Sequence, residues 1–490
     1  SSDLTGFCLM GLGCLLLLCA RDGGFRRLLR HPLIRKGGLF LIALFWGCQL
    51  KADPALPVVK LVQADSLAIQ QVVYNDRVAP FNTLARDFVQ KIYGRPSFHG
   101  ITPEQVVSSW MLYPEEWNRT PIIRIKNQEL RTALGLKEEY ASLNHLFDGT
   151  QYKLQPLWQR EQGNRSKLAQ AIQETDEKVG LILMLRQGTL VRPLPPDVPH
   201  LSTQKVNAEL WYNRIPFSKI LFMVNLTLGF AAFGLFMFRM LTGRKEKAVS
   251  RRVWGTALCL TTLFHATGYA LRGYIRGGFP LSNGYETMQF VALAVLLTAC
   301  LLQRRFPFTR PFGFLLSGFT LLVAYLGEMN PQITPLMPVL ASPWLSWHVS
   351  LIMISYGLFA FTFLNGILAL CLIGKQKNTA SPITGEQIEQ LTLLSRLLLY
   401  PGTFLLGTGI VLGAVWANVS WGSYWSWDPK EVWALAAFII YGISFHRKSL
   451  PYFQHPWLFH GYMILAFAVV LMTYFGVNYL LGGMHSYANS

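Results

Sequence analysis

The chain has 490 residues, of which 51% are hydrophobic and 13% aromatic but only 14% charged, whereas soluble proteins carry about a quarter charged residues. This excludes an ordinary soluble enzyme and points to a polytopic membrane protein. A formal net charge of +18 would suit a nucleic-acid binder, but its distribution argues against one: residues 51 to 215 hold 20 Lys+Arg and 17 Asp+Glu, and the rest of the chain holds 24 and 9. Surplus positive charge in the membrane part has a topological meaning instead.

A hydrocarbon core of about 30 Å asks for roughly 20 apolar residues per helix. Ten runs are read as spans, near residues 4 to 20, 37 to 50, 216 to 240, 252 to 271, 285 to 303, 310 to 327, 348 to 373, 397 to 419, 430 to 446 and 457 to 481. The first two are short. A start at Ser1 that opens directly into an apolar run, without an initiator Met, reads as incomplete, with a signal peptide or another membrane helix ahead of it. Connections at 21 to 36, 239 to 252, 304 to 310, 375 to 396 and 446 to 455 hold 20 Lys+Arg, against 3 in the alternate set at 272 to 284, 328 to 347, 420 to 430 and 482 to 490. The positive-inside rule makes the first set cytoplasmic, which puts residues 51 to 215 and both chain ends outside.

The expected architecture is therefore an all-α polytopic membrane protein of about ten transmembrane helices with one inserted extracytoplasmic α+β domain. Residues 1 to 50 supply two helices, 51 to 215 the soluble domain and 216 to 490 an eight-helix membrane domain. Within the soluble segment, Thr102, Pro103 and Gln105 predict a capped helix start, and Pro121 to Lys126 alternates like a strand. The seven cysteines all lie in or beside apolar runs and make no Cys-x-x-Cys pair. They read as small hydrophobes rather than as a disulfide framework or thiolate metal site.

The loop between the eighth and ninth runs reads Trp421-Gly422-Ser423-Tyr424-Trp425-Ser426-Trp427-Asp428-Pro429-Lys430-Glu431-Val432-Trp433. A single Trp here is an ordinary interfacial residue. Four in so short a stretch predict an apolar platform of indole faces for a planar ligand, with Gly422 permitting close approach. Asp428, Pro429 and Glu431 have the spacing of a helix start: N-cap, first helical position and third. That reading is preferred over paired acid and base carboxylates.

Loop parity places His348, at the start of the seventh run, and His485, just after the tenth, on the same outer face as the Trp-rich loop. Two imidazoles flanking an aromatic platform are what axial ligation of a haem iron requires. His446 ends the ninth helix, read as Glu431 to His446, roughly 22 Å below the loop at 1.5 Å per residue. It is either a ligand at depth or a cap at the cytoplasmic helix end. His265, inside the fourth helix, reads as a core residue; His31, His455 and His460 lie in or near basic loops.

The string from Trp421 to Glu431 resembles the tryptophan-rich WWD signature of the haem-handling membrane superfamily, in the form found in the CcsA component of System II cytochrome c synthases. Pro280-Leu281-Ser282-Asn283-Gly284-Tyr285-Glu286, Trp347-His348-Val349 and Gly483-Met484-His485-Ser486-Tyr487 are similar to that family as well. The likeness covers residues 250 to 490, while residues 1 to 215 look like a short ResB portion, so that the whole resembles a CcsBA fusion.

The resemblance implies a bacterial inner-membrane protein that takes non-covalent haem b as substrate. An inner site would use His446, with a second histidine expected in the N-terminal portion. An outer site would lie between His348 and His485, under Trp421, Gly422, Trp425, Trp427, Asp428 and Trp433. It further implies transfer of haem across the membrane and its attachment to the Cys-x-x-Cys-His cysteines of an apocytochrome c, with thiol-reducing maturation proteins as further partners and no nucleic acid. Alternatives are a haem transporter or chaperone without ligase activity, a b-type electron-transfer cytochrome, or a channel without cofactor.

Overall fold

The computed structural model describes residues 56–481 except 150, 165, 243, 245, 328, 335–341 and 379–381. The runs expected at 4 to 20 and 37 to 50, His31 and His485 lie outside the described residues. Two compact units are present. One spans residues 56 to 215 and takes in 332–334; the other holds 216–331 and the residues from 342 onward.

The first unit is mostly helical, with short strands. In chain order it runs α1 (Leu61–Ala68), β1 (Gln71–Tyr74), β2 (Arg77–Pro80), α2 (Phe81–Tyr93), α3 (Pro103–Leu112), α4 (Pro114–Arg119), β3 (Ile123–Arg124), α5 (Gln128–Ala133), β4 (Tyr140–Ala141), β5 (Phe147–Asp148), β6 (Gln151–Tyr152), α6 (Leu154–Glu161), α7 (Lys167–Arg186), β7 (Arg192–Pro193) and α8 (Thr203–Arg214). Strands β2, β1 and β7 form an antiparallel sheet with Val72 opposite Ala79 and Pro193. Asn75 and Asp76, both at positive φ, make the tight turn between β1 and β2, as residue types that tolerate that region do in two-residue hairpins. The capping box predicted at Thr102 and Gln105 opens α3. The strand read over 121 to 126 shrinks to Ile123–Arg124, paired with Tyr140–Ala141. Trp110 and Trp117, both fully buried, stack at 5.8 Å in the core.

Residues 332–334 complete this unit. Asn75 Nδ2 donates to Gln332 Oε1 (3.1 Å), Gln332 Nε2 to the Tyr74 hydroxyl (3.2 Å) and Arg77 Nε to the Ile333 carbonyl (2.9 Å). Arg77 also bridges the buried Glu209 of α8. Beside them burial pushes the Asp87 carboxyl up to about 6, against the opposing pull of Arg86, Tyr74, Arg77 and Gln332.

The second unit contains α9 (Phe217–Thr242), α10 (Ala248–Arg276), α11 (Gly284–Leu302), α12 (Thr309–Leu326), α13 (Pro343–Asn378), α14 (Pro382–Trp421), α15 (Pro429–Ile443) and α16 (Pro456–Leu471), the last continuing as a π-type coil over Met472–Leu481. Each of the eight runs expected from 216 onward is occupied by one of these helices. Six, all but α10 and α15, are long and apolar enough to cross a membrane, so the chain is a polytopic helical membrane protein. The ninth helix ends earlier than expected: α15 has 15 residues, roughly 22 Å at 1.5 Å per residue, and stops at Ile443. His446 lies beyond it in a turn, its amide on the Ile443 carbonyl at 3.1 Å.

Glycines set the closest approaches. A Cβ on Gly402, Gly409 or Gly413 of α14 would stand 2.7, 2.6 and 2.4 Å from Phe359, Ile352 and His348 of α13. Gly229 and Gly318 play the same part where α9 meets α12, and there Asn225 Nδ2 donates to Ser317 Oγ within the buried seam. In lipid, where apolar contact alone does not favour one helix neighbour over another, such small-residue seams and interhelical hydrogen bonds do.

Ionic groups are buried between α10 and α11. Glu286, fully buried, accepts from Arg272 Nε and Arg276 Nη1 at 2.8 Å each, and from the amide and hydroxyl of Ser282 at 2.7 Å. Arg272 also holds the Pro331 carbonyl. Removing one partner of such a cluster strands the others uncompensated, a cost of about 3–5 kcal/mol. Glu286→Gln is thus expected to lower the thermal unfolding midpoint of the detergent-purified protein sharply; an unchanged midpoint would mean the cluster is not holding these helices.

Asp87 yields a second test. Its folded-state pKa, about 6, lies above the ordinary 3.8, so the folded chain binds a proton more tightly than the unfolded one. The associated stability is full below about pH 4 and is lost as pH rises through about 6. Denaturant midpoints measured across this window should slope downward in wild type and flatten in Asp87→Asn.

Candidate haem-handling site

His348 lies in the first turns of α13 and faces α14. Its Nδ1 is 2.6 Å from the Gly409 carbonyl. A carbonyl can only accept, so Nδ1 carries the proton and the lone pair sits on Nε2. Gly413, one turn further along α14, makes room for the ring: a Cβ there would meet Cε1 at 2.4 Å. Orientation by a backbone carbonyl on one nitrogen is the usual second-shell arrangement of a metal-ligating imidazole. The donor chemistry therefore fits an iron ligand. Sequence reasoning singled out His348 but missed Gly409 and Gly413; their four-residue spacing in an apolar run was the available signal.

The Trp-rich segment is divided among three elements. Trp421 is the last residue of α14 and meets the buried Trp416 edge to face at 4.8 Å. Trp425 and Trp427 follow in the loop, 5.9 Å apart with planes at 87°. Trp433 belongs to α15, where its carbonyl accepts from Thr473 Oγ1. Helix ends and the capping turn set the direction of each of these indole rings separately. Trp427 is 73% exposed and has φ +58°, a left-handed conformation costing about 1–2 kcal/mol for a side chain of this kind.

The capping geometry explains that strain. Asp428, buried, accepts from the Lys430 amide at 3.0 Å, while the Glu431 carboxylate accepts from the amides of Asp428 (3.2 Å) and Ser426 (2.9 Å). The backbone on both sides of Trp427 is thus pinned to one carboxylate. Gly422, at φ +77°, makes the other sharp turn, just past the end of α14, as glycine does at helix C-termini. Asp428 and Glu431 act here as the helix-start pair that their spacing predicts.

The remaining histidines differ in setting. His446 is exposed. His265, buried in α10, bonds Gln289 Oε1 through Nε2 at 3.0 Å, and its Nδ1 has no hydrogen-bond partner. His460 does not lie in a loop: it is fully buried in α16, with Nε2 2.9 Å from Thr392 Oγ1. Sequence reasoning placed it in or near a basic loop, at the start of the run from 457, and had no local signal for its partner Thr392. No group of three or more metal-binding side chains converges among the described residues.

A family profile described as Cytochrome C assembly protein matches residues 281–485. The CcsA cytochrome c biogenesis protein of Synechococcus sp. is 33% identical over 313 residues, which is 54% of this chain and 94% of that protein. The chain belongs to the CcsA family of cytochrome c biogenesis proteins. CcsA of Prochlorococcus marinus is similarly related, 32% identical over 305 residues covering 93% of its length. Protein NrfI of Wolinella succinogenes is 32% identical over 482 residues, spanning 84% of this chain. The chain covers only 53% of NrfI, about half of that relative's length. The residues that the family profile matches contain Glu286, His348 and the Trp-rich loop.

The fit of His348 against α14 can be tested directly. Gly413→Ala is expected to destabilise this CcsA-family protein by about 1–3 kcal/mol through overpacking. Gly442→Ala, where a Cβ has no neighbour within 4 Å, serves as control; equal unfolding midpoints for the two variants would refute the seat.

Proposed function

We propose that this CcsA-family protein is a System II cytochrome c synthase that moves haem across the bacterial inner membrane and attaches it to the Cys-x-x-Cys-His cysteines of an apocytochrome c. The observation that carries this reading is the seating of His348, whose Nδ1–H donates to the Gly409 carbonyl, the orientation usual for an iron-ligating imidazole. In the proposed topology there are ten spans, and the first unit, the Trp-rich loop and His485 face outward by the positive-inside argument. Haem b, the non-covalent substrate, would be held at the outer site between His348 and His485, with Trp421, Trp425, Trp427 and Trp433 around it and Gly422 and Asp428 shaping the loop. His446 would serve the inner site.

The chemistry asks little of the chain as a reagent. Each substrate thiol adds across one haem vinyl group: the sulfur bonds the vinyl carbon next to the ring and the thiol hydrogen ends on the terminal carbon. Nothing is oxidised or reduced, so the cysteines need only arrive as thiols, which is the part assigned to thiol-reducing partners. The protein's contribution is to hold the vinyl edge against the thiols, and positioning of this kind can supply about 7–11 kcal/mol of a barrier. A capped, strained loop suits that task, because it fixes exposed Trp427 without leaving it free to rotate with the backbone.

Co-expression with an apocytochrome c in a host lacking other maturation factors tests the proposal. Wild type should yield covalent haem that survives denaturation. His348→Gly or His485→Gly should abolish it, with partial recovery on adding imidazole. Covalent product from the double variant would sink the outer-site assignment, and haem release without any covalent product from wild type would reduce the function to haem transport.

A further inference from the structure

Arginines buried or partly buried in the second unit follow a pattern. Arg272 and Arg276 share Glu286, and Arg310 bonds Glu246 at 2.6 Å. Arg396 and Arg447 break it: among the described residues neither has a carboxylate partner, and the Nε of each is buried without a hydrogen-bond partner. Removing a guanidinium Nε from water without a partner is costly, so this pair stands out from the others.

The two side chains belong to one neighbourhood. Thr392, Arg396 and Tyr400 succeed one another at four-residue intervals on one face of α14. Arg396 lies over the ring of Phe459, 5.3 Å from its centroid. Tyr400 stacks on Phe445 at 4.8 Å, bringing the turn that carries His446 and Arg447 against the same face. The charges of Arg396 and Arg447 repel each other. Next to them, Thr392 donates its hydroxyl proton to the Ile388 carbonyl, so the His460 Nε2–H donates to Thr392 Oγ1 and its unpartnered Nδ1 carries a lone pair. Among the described residues the neighbourhood thus collects two guanidinium groups without counter-ions beside an exposed imidazole, His446.

We propose that Arg396 and Arg447 receive the two propionate carboxylates of haem, next to His446. The proposal rests on the inner-site reading above and adds the groups that would recognise the acidic edge of the substrate. Haem offers the complementary pattern: two carboxylates on one edge of an apolar plane, with an iron that takes imidazole. Guanidinium groups bind carboxylates through short charge-assisted hydrogen bonds, and a dianion relieves the repulsion between the two arginines. A phospholipid headgroup presents the same anionic chemistry, and the test below separates the two sources.

The probes are haem and its dimethyl ester, which keeps the ring and iron but lacks the carboxylates, titrated by Soret absorbance into full-length protein carrying His348→Gly and His485→Gly so that only the inner site reports. With the arginines present, haem is expected to bind about tenfold or more tightly than the ester, the difference of one or two charge-assisted hydrogen bonds. With Arg396→Gln and Arg447→Gln added, the two probes should bind about equally, and Arg396→Lys should keep part of the preference. No preference for haem with the arginines present, or a preference that survives their removal, would overturn the proposal. So would an unchanged haem-to-ester ratio accompanied by weaker association with anionic phosphatidylglycerol vesicles, which would assign the pair to lipid. The inner-site reading fails separately if His446→Gly leaves the haem spectrum and affinity unaltered.

Discussion

The close approach of α13 and α14 is the constraint on which the candidate site depends. Three glycines, Gly402, Gly409 and Gly413, let Phe359, Ile352 and His348 come within a distance that any Cβ would forbid. Because the seam runs the length of the contact, the imidazole at one end is held by the same packing that joins the helices. The Gly409 carbonyl that receives the His348 proton is an ordinary helix backbone group, made reachable only by the missing side chains. The same helix then ends at Trp421 and delivers the Trp-rich loop, so the ligand candidate and the aromatic cluster share one scaffold.

Polar groups buried in a helical membrane protein have few ways to be satisfied, and this chain uses them in two contrasting fashions. Around Glu286 the carboxylate is satisfied internally, by two arginines and a serine, which makes the Pro280 to Glu286 segment a rigid joint between α10 and α11. Around Arg396 and Arg447 positive charge is left without a counter-ion among the described residues. The first pattern belongs to structure, since it closes on itself. The second is what a binding surface for an anion requires, since its cost is recovered when the anion arrives.

Much of the site was legible in linear sequence where the signal is local. The helix-start spacing of Asp428, Pro429 and Glu431 led directly to the capping box, and the apolar runs from residue 216 onward led to the helices that occupy them. Signals that depend on a neighbour across space were not legible. The four tryptophans read as one platform, yet Trp421 pairs with Trp416 one turn earlier and Trp425 stands perpendicular to Trp427. His460 read as lying in or near a basic loop, at the start of the run from 457, because nothing local points to Thr392, 68 positions earlier in the chain. His446 read as the end of a helix that in fact stops at Ile443.

What the sequence by itself determined is the membrane character of the chain, the placement of its helices from residue 216 onward and the chemical identity of its ligand candidates. These follow from hydrophobicity, capping and residue type, all of which act over a few residues. Only the tertiary structure decided which nitrogen of His348 carries the proton, which tryptophans meet, and which arginines have a counter-ion. Each of those depends on one atom of another helix at hydrogen-bond or van der Waals distance, and packing between helices distant in sequence is what fixes such distances.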